Sequence, residues 1–338
     1  MKILVRATNW IGDAVMALGA VRALRGRYPQ AEIAVLARGW VSDLYLGEAA
    51  IDRIIPLRGR AGAKDLAAKW RQAAELRREK FDLAVLLPNS FESAALVFAS
   101  GITRRVGYAR DGRSLLLTDA IAVPEPGEIP RHERYYYPEL LRRAGILEAL
   151  PEIEEIHFEG IEASRERGRE LLQAKGFGEA VIGVSPGAAF GGAKRWLPEH
   201  FAAASRAVAE RLGAQVLIFG SEGEWAMCEE VAALSGGRNL AGATTLREFI
   251  DLTSACRFFL TNDSGAMHIA AALRVPSITV FGPTDETATG PCSLTAHLLR
   301  EPVECAPCKK RECPIDHRCM TRVTAERVTA EAFRILSA

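Results

Sequence analysis

Residues 257–281, RFFLTNDSGAMHIAAALRVPSITVF, place a short apolar run, a turn of small residues, a helix of about nine residues and a second apolar run in immediate succession. Continuous apolar runs of this length are what a parallel sheet covered on both faces requires. The chain is therefore constrained to an α/β fold in which a helix returns each strand to its neighbour. At the end of the first run, Asp263 and Ser264 are natural helix N-caps, and Gly265 leaves the first turn open to a ligand. Backbone N–H groups and the positive dipole end at such a helix start suit a diphosphate. His268, one turn along, is placed to donate to the same group. The plain structural reading stays open beside it, with Asp263 and Ser264 capping the helix and His268 packed in the core.

The same rhythm recurs along the chain. A strand at 2–7, a helix at 13–28, a strand at 32–37, a charged helix from about 64 to 78 and a strand at 81–87 make up the first half. Residues 150–164, rich in Pro, Glu and Gly, read as a linker. Beyond them come a strand at 181–185, a helix at 199–212, a strand at 215–220 and a helix at 225–234. With 338 residues there is length for two cores. The expected fold class is α/β, with two Rossmann-like doubly wound domains, 1–160 and 161–338, facing a central cleft lined by strand carboxyl ends.

Charge and hydropathy narrow the function. The formal net charge of +1 argues against general nucleic-acid affinity. Residues 53–113 nevertheless hold thirteen Lys and Arg against six Asp and Glu, a local excess of +7. That excess suits an acidic substrate or anionic lipid headgroups, or it is simply a set of solvated helix faces. No apolar run reaches the roughly 18–20 residues of a membrane span. The N-terminus, with Arg6 inside its apolar stretch and Asp13 soon after, does not read as a secretory signal, so a cytoplasmic protein is expected.

Three loops at strand ends carry candidate chemistry. In Asn9-Trp10-Ile11-Gly12-Asp13 the glycine permits a tight turn, and Asp13 is either a helix cap or a base for a substrate hydroxyl. The second loop, from Ser185 and Gly187 to Lys194 and Arg195, exposes backbone between small residues and ends in cations suited to phosphate. It lacks the spacing of a P-loop, which disfavours nucleoside triphosphate hydrolysis. The third, 220–224, offers Glu222 and Glu224 to a ribose hydroxyl pair, or to solvent.

Cys228 and Cys256 lie in apolar surroundings typical of core thiols, and the remaining five cysteines fall within 292–319. Cys305, Cys308, Cys313 and Cys319 have a spacing compact enough for one tetrahedral zinc, with His317 as a spare ligand. Reduced thiols packing a loop and disulfides are the alternatives.

The motifs NWIGDAVM, SPGAAFGGAKRW and NDSGAMHIAAA, in this order over residues 1–330, resemble those of the glycosyltransferase family that includes the ADP-heptose:lipopolysaccharide heptosyltransferases, and its heptosyltransferase II branch in particular. The resemblance implies a GT-B architecture in which the first domain binds the acceptor and the second the ADP-sugar, with a C-terminal helix at 325–336 that returns to the first domain. It implies an inverting transfer of heptose from ADP-L-glycero-D-manno-heptose to the inner-core heptose of a Kdo-bearing lipid A, with no cofactor required for the chemistry. Asp13 falls on the family's base. Ser185, Gly187, Lys194, Asp263, Ser264, Gly265 and His268 fall on its donor site. Glu224, in preference to Glu222, is matched to the ribose, and Thr244 or Thr245 to the adenine. Asn9, Gly12, Arg104 and Arg105 are expected at the acceptor, with Lys64, Arg110 and Arg113 as further candidates. The implied partners are the ADP-sugar, a lipopolysaccharide core acceptor and, peripherally, the cytoplasmic face of the inner membrane; no nucleic acid is expected. Two rivals stand beside this reading: an epimerase or hydrolase acting on nucleotide sugars with the same fold, and a non-catalytic nucleotide-sugar-binding protein.

Overall fold

A computed structural model describes residues 1–59 and 65–337. The chain forms two compact units, Met1–Ile153 and Glu154–Ala338. The boundary falls inside the expected linker, seven residues before the expected domain limit at 160.

The first unit holds strands β1 (Lys2–Arg6), β2 (Glu32–Ala37), β3 (Arg53–Pro56), β4 (Leu83–Leu86), β5 (Arg104–Tyr108) and β6 (Asp119–Ile121). They form one parallel sheet in the order β3-β2-β1-β4-β5-β6. The second unit holds β7 (Val181–Ser185), β8 (Gln215–Ile218), β9 (Arg238–Asn239), β10 (Phe258–Asn262), β11 (Ser277–Phe281) and β12 (Ala296–Arg300). Their order, β12-β11-β10-β7-β8-β9, is the same doubly wound arrangement again, all parallel. In each sheet the order reverses beside the first strand of the unit, between β1 and β4 and between β7 and β10. Loops leaving the carboxyl ends at such a reversal splay apart and leave a crevice for a ligand.

The central strands β1, β2, β4, β7, β10 and β11 are the runs legible as apolar in the sequence, and nearly every residue in them is buried. Strands β3, β5, β6, β9 and β12 were not expected. All but β5 lie at a sheet edge with one side unpaired, so they need no continuous apolar run, and β5, though interior, opens on Arg104 and Arg105, which are only half-buried. The helix expected at 13–28 starts at Ile11 and divides into Ile11–Met16 and Leu18–Arg27. At the division the Ala17 carbonyl accepts from both Ala20 and Val21, at 3.0 and 3.3 Å. The C-terminal helix, Ala325–Leu336, has the expected bounds. It packs against the helix Pro198–Leu212 of its own unit, burying Val328 and Ala332 in the core with Phe201 and Val208.

Asn262, the last residue of β10, ties the second reversal point together. Its side chain is fully buried; Nδ2 donates to the Pro186 carbonyl at 2.6 Å, and Oδ1 accepts from the Trp196 N–H at 3.0 Å. One amide thus joins the end of β10 to both ends of the loop that follows β7. Trp196 in turn donates from Nε1 to the Val323 carbonyl at 2.8 Å, just before the C-terminal helix. Asn262→Ala leaves a buried carbonyl and a buried N–H unpaired, each costing about 1–3 kcal/mol. Urea denaturation is expected to show a loss of about 2–4 kcal/mol. A loss below about 0.5 kcal/mol would show that water takes the place of the amide.

Candidate functional site

The loop after β7 and the helix after β10 bring most of the expected donor residues of the second unit to one strand end. Ser185 closes β7, and its carbonyl accepts from Thr261 Oγ1 at 3.1 Å; Thr261 Oγ1 stands 3.4 Å from Ser264 Oγ. Ser264 is the N-cap of the helix Gly265–Ala272, its hydroxyl accepting from the Ala266 N–H at 3.3 Å. Asp263, the residue before it, is not a cap. Its buried carboxylate holds the Lys194 ammonium at 2.6 Å and also accepts from the Thr284 hydroxyl. The ion pair fixes the lysine to the residue just before the N-cap of the helix, so a cation and a helix N-terminus, each of which attracts anions, lie close together. His268 is buried within the first turns of the same helix. Arg195, next to the lysine, keeps a buried Nε with no partner among the described residues.

Glu224 reaches the same loop from the end of β8. Its carboxylate accepts from the N–H and hydroxyl of Ser221, at 2.9 and 2.8 Å, closing a capping box, and lies against Gly187 so closely that a side chain there would collide with it. Glu222 is exposed. Gly242 packs on the Glu222 backbone, which puts the loop of Thr244 and Thr245 beside that acidic turn. Thr245 is the N-cap of the helix Leu246–Ser254 and forms a capping box with Glu248, whereas Thr244 is half-buried and has no capping role.

A second set of contacts was not expected from the sequence, in which His317 reads as a spare zinc ligand. The Cys-rich segment runs across the donor loop as a strap. The Arg311 carbonyl accepts from the Ala193 N–H at 2.9 Å, and Glu312 Oε1 from the Gly192 N–H at 2.9 Å. His317 Nε2 bonds the Ala193 carbonyl at 2.8 Å. Gly191, at φ 154°, is required by this approach, because a Cβ there would stand 3.0 Å from Arg311 Cα. Phe190 receives Lys194 and Arg311 on its ring, 4.9 and 5.4 Å from the centroid. No periodicity or motif signals these contacts, which join residues about 120 apart. Removing both strap side chains, Glu312→Ala with His317→Ala, should loosen Gly191 to Lys194 and raise the Kd of a nucleoside diphosphate by roughly 5- to 30-fold, as expected from about 1 kcal/mol per lost bond. Calorimetry that returns the wild-type Kd would show that the loop holds its shape without the strap.

Of the three readings left open for the cysteine cluster, the zinc site is not supported. Among the described residues no three of His, Cys, Asp and Glu are grouped to hold a metal ion. All seven cysteines are free thiols, with Cys305 and Cys308 exposed, Cys313 half-buried and Cys319 buried. Burial, with the neighbouring Cys305, Cys313 and Cys308, pushes the Cys319 thiol up to about 11. His317 is taken up by the Ala193 carbonyl. Cys228 and Cys256 are buried, as core thiols should be.

In the first unit, the loop after β1 carries Asn9, Gly12 and Asp13. Trp10 is the N-cap residue of the helix Ile11–Met16, and Asp13 stands in its first turn without capping it. Asn9 Oδ1 accepts from Arg6 Nη2 at 2.7 Å. The Asp13 carboxyl is raised above the ordinary Asp value by burial, and its charge is among those that raise the phenols of Tyr45 and Tyr137. A desolvated carboxylate of this kind is a stronger base than one in water.

Arg104 and Arg105 stand elsewhere. They begin β5 and pair with Leu83 and Ala84, at the amino edge of the sheet, whereas Asn9, Gly12 and Asp13 follow its carboxyl edge, about 10 Å away across three residue steps. Arg104 Nη2 donates to the Ala144 carbonyl at 2.8 Å and Arg105 Nε to the Leu116 carbonyl at 2.8 Å, so both guanidinium groups brace loops. Arg113 is fully buried and donates from Nε to the Tyr108 carbonyl at 2.9 Å. Burial lowers its pKa to about 10. Arg110 is exposed, and Lys64 lies outside the described residues.

The family model for glycosyltransferase family 9 (heptosyltransferase) matches residues 69–318. Lipopolysaccharide heptosyltransferase 2 of Salmonella typhimurium is 33% identical over 100% of this chain and 99% of its own length. The Escherichia coli protein of the same name is 34% identical over 89% of this chain and 88% of its own. Among solved structures, that of E. coli ADP-heptose lps heptosyltransferase II superposes with a TM-score of 0.84 at 30% identity, covering 100% of this chain and 99% of that one. The two doubly wound units are thus those of the GT-B class, and the chain belongs to glycosyltransferase family 9, the heptosyltransferases.

Proposed function

We propose that the chain transfers heptose from ADP-L-glycero-D-manno-heptose to the inner-core heptose of a Kdo-bearing lipid A, with inversion at the anomeric carbon. The observation that carries this reading, in a chain of this family, is the gathering of Lys194, the helix start at Ser264 and Gly265, and buried His268 at one strand end. In the proposed reaction the acceptor hydroxyl gives its proton to Asp13, its oxygen bonds the anomeric carbon, and the bond from that carbon to the diphosphate breaks. The charge left on ADP is met by Lys194, His268 and the helix N-terminus. Ser185 and Gly187 line the diphosphate, Glu224 the ribose and Thr244 the adenine. Asn9 and Gly12 shape the acceptor side around Asp13.

No helix among the described residues is long and apolar enough to cross a membrane. For an acceptor anchored in lipid, we assign membrane contact to the first unit. There Leu66 and Trp70 lie one turn apart on the helix Leu66–Glu79, 58% and 66% exposed, among Lys69, Arg71, Arg77 and Arg78. Exposed Trp beside cations suits the headgroup layer of a cytoplasmic leaflet.

Release of ADP from ADP-heptose should require heptosylated Kdo2-lipid A. Release at the same rate without acceptor would make the protein a hydrolase. Asp13→Asn should lower turnover by ~10²-fold or more while ADP binding stays intact. Near-normal turnover at saturating acceptor would remove Asp13 from the role of base. The raised Asp13 pKa also carries a stability signature. In the native state this carboxyl binds its proton more tightly than in the unfolded chain, so its contribution turns against folding as pH rises through the ordinary Asp value. Asp13→Asn should therefore be more stable than the wild type at neutral pH, with the difference vanishing below about pH 3.8. A variant less stable at pH 7 would show that the carboxylate is held by bonds that outweigh its burial.

A further inference from the structure

The carboxyl edge of the first sheet contains a recess of about 40 Å³ whose walls include Arg6, Arg38, Arg58, Lys69, Asn9 and Glu92. By the usual requirement of about 10–15 Å³ per water, it has room for roughly three. That is the size of a carboxylate or of the oxygens of a phosphate, and too small for a sugar ring. Among the described residues, four cations line it against one carboxylate.

Two of these cations are deeply buried. Arg6, the last residue of β1, is 3% exposed. It donates from Nη1 to the Ala7 carbonyl and from Nη2 to Asn9, while its buried Nε has no partner among the described residues. Arg38, which follows β2, is 6% exposed. It donates from Nη1 to the Gly59 carbonyl, and its Nη2 stays 3.7 Å from Glu92 Oε1. Glu92 is drawn instead to Lys69, at 2.9 Å, and Arg58 pairs with Glu75 at 2.7 Å. Burial, and next the neighbouring charge of Arg38, pulls the Arg6 pKa down to about 10. Two buried guanidinium groups facing one recess, with an N–H left unpaired, are costly unless an anion enters between them.

The rim adds a second feature. Trp40, 60% exposed, donates from Nε1 to the Asn9 carbonyl at 3.1 Å, and its ring lies 5.7 Å from the Arg38 guanidinium carbon. A flat, exposed indole beside a cationic recess is the surface that the apolar face of a sugar ring stacks on. We propose that this recess binds an acidic substituent of the acceptor, a carboxylate or a phosphate, with Trp40 under the sugar that bears it. The inference rests on the transferase reading above and deepens it. Arg6 ends the strand that Asn9, Gly12 and Asp13 follow, so an acceptor gripped there is held by the strand end that carries the base. The basic excess of residues 53–113 contributes Arg58 and Lys69 to this site, and its deepest members, Arg6 and Arg38, come from outside that stretch.

Two measurements separate the recess from the reaction. Inorganic phosphate is titrated into isotope-labelled protein without donor, and the Nε–Hε resonances of Arg6 and Arg38 are followed. Both should shift along one saturating curve, and Arg38→Gln should raise the midpoint at Arg6 by about tenfold or more, the worth of a charge-assisted bond. Lys69→Gln, on the more accessible wall, serves if Arg38→Gln does not fold. Arg6 and Arg38 resonances that stay fixed overturn the proposal whatever the protein catalyses. In the transfer assay, both variants should raise KM for heptosylated Kdo2-lipid A about 10- to 100-fold while leaving KM for ADP-heptose and kcat at saturating acceptor within about twofold. Acceptors that are carboxyl-reduced or dephosphorylated identify the group held: only the one lacking it should give the wild type the KM of the variants. Equal acceptor KM in wild type and variants contradicts the proposal. If the wild type releases no ADP with any acceptor, the transferase reading fails and the phosphate titration still decides the recess.

Discussion

The reversal point of the second unit depends on one buried amide. Asn262 lies where the strand order reverses, and in that position it bonds the loop after β7 at two places ten residues apart, Pro186 and Trp196. A reversal point gives a sheet an opening but no shape, since the two loops leave in opposite directions. The amide supplies the shape by fixing where the loop after β7 starts and where it ends. Asp263, the next residue, then meets Lys194 from within that loop, and Ser264 starts the helix. Three consecutive residues therefore set the loop, the cation and the helix terminus in turn.

The electrostatics of the two units differ accordingly. In the second, Lys194 is already paired with a buried carboxylate, so its charge is positioned before any ligand arrives and the cost of ordering it falls on folding. The strap from the Cys-rich segment adds to this preorganisation, because Arg311, Glu312 and His317 use backbone and side-chain bonds to hold the Gly191 to Lys194 turn in its working form. In the first unit, Arg6 and Arg38 line one recess, with Arg6 Nε unpartnered among the described residues, and Asp13 is held in a setting that disfavours its charged form. Groups kept in poor company in this way are the mark of a surface that becomes complete only with substrate.

Much of this was legible in the sequence, and the gaps have physical reasons. Buried central strands must be apolar on both faces, so β7, β10 and β11 can be read almost residue by residue, and the second and third motifs lie on the loop and helix start that leave the second reversal point. Edge strands such as β6 and β12 have half their surroundings in solvent and leave no such trace. The cysteine spacing suggested zinc because spacing reports only distance along the chain; in the fold, His317 is spent on a carbonyl, and among the described residues no three ligands are grouped to hold an ion. Arg104 and Arg105 were grouped with the acceptor because they belong to the basic stretch 53–113. The parallel sheet, however, separates the start of a strand from its end, and these two mark a start. Arg6 and Arg38 went unnoticed as a pair because one ends β1 and the other follows the neighbouring strand β2, 32 residues on.

The central claim is a single displacement, in which a base on the first unit activates an acceptor against a sugar whose leaving group the second unit holds. The stereochemistry of the new bond tests it most directly. Nuclear magnetic resonance of the anomeric carbon and proton in the product, formed from ADP-heptose of known configuration, should show a glycoside with the configuration opposite to that of the donor. A product with retained configuration, or free heptose in place of a glycoside, would contradict the account.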